Sequence, residues 1–167
     1  DPAFGTGQGS ATGLAAASRG PRSGSVPRLP GTLREAEAIR AHGEGVDVTV
    51  ITGEQATAEA LRSRAFARGR VVHLATHGLV NQQWPRLSAL LLAPEAGDSA
   101  VRSLRPHEIA ALELNAELVV LSGCETAGGR RWAGEGVLSL TRPFLVAGAR
   151  QVVASLWRVS DSGSAEL

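Results

Sequence analysis

Val71-Val72-His73-Leu74-Ala75-Thr76-His77-Gly78 and, further along, Leu118-Val119-Val120-Leu121-Ser122-Gly123-Cys124-Glu125 are two apolar, β-branched runs that each close on a small residue beside a reactive one. Short apolar runs closed by glycine read as buried parallel strands that empty into loops, and open α/β sheets carry their working side chains at such carboxyl ends. His77 ends the first run, and Cys124, the one cysteine of the chain, ends the second. A thiol with an ordinary pKa near ~8.5 is mostly protonated at neutral pH and needs a base or a positive dipole to act as a nucleophile. His77 is the candidate base. Gly78 leaves room for a substrate backbone, and its N–H together with that of Cys124 is the candidate pair of oxyanion donors. The competing reading of Cys124 is an inert, buried, small hydrophobe, the common fate of a free cysteine. Two strand ends with glycine around both favour the reactive reading.

Outward from these runs the pattern alternates strand and helix. Thr32 is read as the cap of a helix from Leu33 to about Ala41, with Glu35 completing a capping box. Val46 to Ile51 alternates as a strand, and Thr57 opens a helix that carries Leu61 and Phe66. A hairpin-like run spans Leu87 to Ala93, and Pro106 suits the first turn of a helix bearing Ile109 and Leu112. A helix from Gly136 to about Ala147 and a strand from Gln151 to Trp157 complete the series. Such alternation favours a mainly parallel sheet flanked by helices. Residues 1 to 28, rich in glycine and serine and nearly devoid of bulky apolar side chains, read instead as a flexible loop or linker. The domain is therefore expected over residues 29 to 167. The missing initiator methionine is read as the mark of a fragment cut from a longer chain.

Composition narrows the function classes. The 167 residues are 43% hydrophobic, enough for one domain with a real core. The formal net charge is +1 and the arginines are scattered, so nothing points to nucleic acid. The longest apolar stretch, near Leu87 to Ala93, falls far short of the ~20 residues of a membrane span, and no signal pattern opens the chain. A cytoplasmic setting is expected, and a single cysteine suits a reducing compartment. The absence of lysine, tyrosine and methionine beside abundant alanine, glycine and arginine reads as genomic bias of a GC-rich bacterium.

Two cofactor readings are weak, one on strand spacing and one on missing residue types. His73 and His77, four apart, invite a zinc site with Cys124, but in a strand positions i and i+4 lie about 13 Å apart. His73 is expected instead as a hydrogen-bonded core histidine. The stretch Ala127 to Gly136 is rich in glycine yet lacks the lysine and hydroxyl residue of a phosphate-binding loop, and it reads as a flap beside the nucleophile. No metal and no cofactor are expected.

Cys124 follows His77 by 47 residues (124 − 77), close to the roughly 50 of the caspase signature. Further motifs recur in order: Leu29-Pro30-Gly31-Thr32 with Glu35 and Glu37, Thr52-Gly53-Glu54, His73 to Gly78, Leu118 to Thr126, Ala133-Gly134-Glu135-Gly136-Val137, and Ala147-Gly148-Ala149-Arg150 through Trp157. Together they resemble the CHAT domain, a caspase-like branch of the cysteine peptidases related to separases, and the likeness covers most of the chain from Leu29 onward. The resemblance implies a caspase-like α/β sandwich, a His77 and Cys124 dyad, and cleavage of a protein or peptide substrate through an acyl-enzyme. It also implies a tetratricopeptide-repeat region upstream in the parent chain. Asp1 to Gly5 looks like the family segment that follows its first strand, and that strand is expected to be absent here. Trp157-Arg158-Val159-Ser160-Asp161 resembles the separase segment that lines the pocket for a basic residue, which makes Asp161 a candidate substrate-binding residue; an ordinary helix cap is the other reading of Asp161. A catalytically inactive interaction module and a small-molecule thiol hydrolase remain the competing functions.

Overall fold

The computed structural model describes residues 10–15, 29–81, 83–122 and 135–154. Its strands are β1 (Ser10–Ala15), β2 (Asp47–Thr52), β3 (Val71–Ala75), β4 (Gly78–Leu79), β5 (Ala89–Leu92), β6 (Arg102–Leu104), β7 (Leu118–Ser122) and β8 (Val152–Ala154). Between them run helices α1 (Pro30–His42), α2 (Ala58–Arg62), α3 (Arg64–Ala67), α4 (Pro106–Ala110) and α5 (Glu135–Val146). Five strands form one parallel sheet in the order β2-β1-β3-β7-β8, and β4-β5-β6 form a small antiparallel sheet. The expected α/β architecture, a mainly parallel sheet flanked by helices as in a caspase-like sandwich, is what the chain adopts.

The two apolar runs quoted above are β3 and β7, and they are neighbours. Period-2 alternation divides their side chains between the faces of the sheet. Val72, Leu74, Val119 and Leu121 enter the main core, where Leu61 and Phe66 of the α2–α3 segment, Ile109 of α4, and Leu140 and Phe144 of α5 cover them. The opposite face is thinner: Ala75 meets Ala36 of α1, with Val50 packed against the pair. Among the described residues no helix is long and apolar enough to cross a membrane.

Three sequence expectations are corrected. Ser10–Ala15 lies inside the stretch read as a flexible loop or linker, yet it forms β1, the strand between β2 and β3. Small residues suffice there because backbone ladders on both sides satisfy its N–H and C=O groups, which composition alone does not reveal. Helix α1 begins earlier than read, at Pro30, with Leu29 at the N-cap and no side-chain cap bond. Thr32 Oγ1 donates instead to the Leu29 carbonyl at 2.7 Å, and Glu35 turns to the sheet, so no capping box forms. The helix opened by Thr57 is broken at Ser63, whose extended backbone ends α2 and whose Oγ accepts from the Phe66 N–H to start α3.

Below the sheet, at the amino ends of its strands, Arg70 and Glu117 form a forked pair at 2.8–3.2 Å across β3 and β7. The hydrogen bond from Arg70 holds the Glu117 carboxyl below the usual carboxylate range. Arg70 C=O also accepts from the N–H groups of Glu117 and Leu118, which sets the starting register of the two strands.

The turn from α5 to β8 depends on Gly148, whose φ is +112° and whose added Cβ would stand 2.3 Å from the Leu114 carbonyl oxygen. Gly45 also has positive φ, at +77°, but faces open space. Gly148→Ala is therefore expected to cost at least about 3 kcal/mol, and Gly45→Ala only about 1 kcal/mol, because the second substitution adds backbone strain without a clash. Urea unfolding of the two variants checks the order.

A second measurable feature joins β6 to α4. Burial pushes the Glu108 carboxyl up, but the Arg105 N–H at 3.0 Å and the Arg102 guanidinium outweigh it, and the group rests below its ordinary value of 4.5. A depressed carboxylate stabilises the fold above its unfolded pKa and loses that contribution as pH falls through the folded one. Glu108→Gln should thus cost about 1 kcal/mol at pH 7. The deficit should shrink steadily as pH falls below about 4.5, in thermal melts followed by circular dichroism.

Candidate active site

The parallel register sets Ala75 of β3 opposite Ser122 of β7. His77 and Cys124 each follow by two residues beyond this shared rung. Adjacent strands lie about 4.8 Å apart, so the two chain segments leave the sheet side by side at its carboxyl edge.

The exit from β3 is tightly held. Thr76 is buried, and its Oγ1 donates to the Leu91 carbonyl, while the Leu91 N–H donates to the His77 carbonyl at 2.9 Å. Both backbone groups of one β5 residue therefore grip the two residues that follow β3. His77 is itself 4% exposed, at the junction between the large and the small sheet. The His77 backbone is held through its carbonyl, and the residue before it through its hydroxyl.

Gly78 opens β4, the outer strand of the small sheet, and stands opposite Leu90. Since His77 and Leu91 form the hydrogen-bonded rung, antiparallel alternation makes Gly78 and Leu90 the non-bonded one. The Gly78 N–H is thereby directed away from β5, as an oxyanion donor would be.

On the thin face of the sheet a polar cluster fills the place of an apolar contact. Glu35 of α1 accepts from Ser122 Oγ through Oε2 at 2.9 Å, and its Oε1 lies 3.1 Å from His73 Nε2. His73 was expected as a hydrogen-bonded core histidine; it is largely buried, but its Nε2 makes no hydrogen bond and faces instead a carboxylate read as part of a helix cap. Glu35 and Ser122 were both missed as members of a shared cluster. The available signal was the polar pair His73 and Ser122 at alternate positions of otherwise apolar strands.

Cys124, Asp161 and the glycine-rich stretch Ala127 to Gly134 lie outside the described residues. A cavity of about 530 Å³ bordered by Gly53, Glu54, Glu59, Glu95 and Asp98 takes in part of the Thr52-Gly53-Glu54 motif but neither His77 nor Gly78. Its carboxylates are in part spent on the fold, since Glu95 Oε1 accepts from the Glu59 N–H.

The chain is 33% identical over 150 residues to tetratricopeptide repeat protein 28 of Mus musculus, an alignment that takes in 68% of this chain and 6% of that protein. The chain thus spans a small fraction of its curated relative, whose name carries the repeat expected upstream. A mouse relative lends no support to the bacterial origin read from composition. The family described as the CHAT domain matches residues 6–167, which includes β1 and nearly the whole length, and the chain belongs to that family.

Proposed function

We propose that this chain is a cysteine peptidase domain that cleaves protein substrates with His77 as base and Cys124 as nucleophile. The observation that supports the proposal is the Ala75 and Ser122 rung, the last of two neighbouring strands, which His77 and Cys124 each follow by two residues in the sequence. Membership of a peptidase-related family supports it.

In this reaction His77 takes the thiol proton of Cys124, and the sulfur attacks the carbonyl carbon of a peptide bond. The N–H groups of Gly78 and Cys124 hold the resulting oxyanion. The C–N bond then breaks, and His77 returns the proton to the leaving amine. Water, deprotonated by His77, attacks the thioester and frees the new carboxyl end together with the thiol. Asp161 is assigned to a pocket that favours a basic residue before the cleaved bond. The parent chain is proposed to carry tetratricopeptide repeats before this domain and to act in the cytoplasm.

Expression of the full native chain and of its Cys124→Ala variant, followed by mass spectrometry of newly formed protein termini, tests the assignment. Cleavage should fall by at least about a thousandfold in Cys124→Ala and in His77→Ala. Termini that persist unchanged in Cys124→Ala would remove the dyad. Equal absence of termini in all chains would favour the interaction module.

A further inference from the structure

We infer that Glu35 is a positioning residue for the proposed dyad: its carboxylate bridges β3 and β7 from the α1 side and holds the strand ends from which His77 and Cys124 depart. The inference rests on the peptidase reading for the identity of the dyad, but its observations are independent of it.

The carboxylate uses both oxygens on different strands. Oε2 takes the Ser122 hydroxyl of β7 and Oε1 faces His73 of β3. Ser122 belongs to the last rung of the β3–β7 ladder, and His73 stands opposite Val120 two residues earlier. Glu35 thus spans the seam between the two strands at the end that leads into the candidate site. One helix residue touches both lines of chain on which the catalytic pair depends.

Stability alone does not account for this arrangement. The side chains of Glu35 and His73 are only 14% and 13% exposed, and removing such groups from water costs more than an apolar contact of similar volume. The cluster is also left incomplete. His73 Nε2 lies within ion-pair distance of Glu35 but is not aligned for a hydrogen bond, and it is the sole buried side-chain nitrogen or oxygen without a hydrogen-bond partner among the described residues. An element selected for stability would saturate that atom or replace it with a hydrocarbon. Among the residues whose side chains are described, the apolar contact beside this cluster is made by Ala36 and Ala75 with Val50. Glu35 therefore adds to the packing of α1 on β1 and β2 a directional tie to the ends of β3 and β7.

The test uses the full native chain with Glu35→Gln, Ser122→Ala and both together. The readouts are the rate at which iodoacetamide alkylates Cys124, measured by mass spectrometry of its peptide at pH 7, and the melting temperature. Each single variant should slow alkylation by about tenfold, less than the hundredfold that a 1 Å misplacement can cost. Melting should shift by less than about 4 °C. The double variant should be no slower than the slower single one, since both act through one contact. Alkylation within twofold of the native chain in folded variants overturns the inference, whatever happens to the melting temperature. If Glu35→Gln does not fold, Ser122→Ala, which removes one hydroxyl, decides alone. Slowed alkylation in a chain that cuts no protein would sustain the positioning role and defeat the peptidase reading. Normal proteolysis with unaltered alkylation would do the reverse.

Discussion

The parallel ladder between β3 and β7 is the constraint on which the rest of this domain depends. Its register is set at the amino ends by Arg70 and Glu117 and carried without interruption to Ala75 and Ser122. A slip of β7 by one residue against β3 would turn Val119 and Leu121 from the main core to the α1 side. Core packing and the alignment of the strand ends Ala75 and Ser122 are therefore locked by a single register, and the large apolar face enforces it.

The two faces of the sheet divide the work. On one side Phe66, Phe144, Ile109 and several leucines bury the strands and supply the main hydrophobic stabilisation. On the other, α1 packs over β1 and β2, Ala36 meets Ala75, and Glu35 reaches Ser122 and His73. Non-directional burial tolerates small displacements, whereas a hydrogen-bonded carboxylate defines a direction and a distance. The polar side is thus the one suited to set geometry at the strand ends. The small antiparallel sheet adds a second grip, since Leu91 binds both Thr76 and the carbonyl of His77. Its placement also turns the Gly78 N–H to the outer edge of β4.

Much of this was legible beforehand because it rests on local chemistry. The apolar runs at Val71 and Leu118 announce buried strands by their β-branched content, and Pro106 and Thr57 mark helix starts through a missing donor and a capping hydroxyl. The strand Ser10–Ala15 was not legible. Its residues are small and its neighbours glycine-rich, so nothing in its own side chains distinguishes a central strand from a linker. Glu35 misled for a related reason: three residues after a threonine it matches a capping box, and the pattern is silent about a more favourable partner across the sheet.

What the sequence by itself determined is which residues are chemically capable and roughly where each element lies. His77, Gly78 and Cys124 stand at run ends, and periodicity decides which side chains must be buried. Tertiary structure alone decided that β1 enters between β2 and β3, that β3 and β7 are neighbours in one register, and that Glu35 reaches both of them. The physical reason is that periodicity and propensity report interactions within a few residues. Strand order and the partner of a buried charge are settled by contacts between segments as far apart as Glu35 and Ser122, whose attraction exists only once the chain has closed.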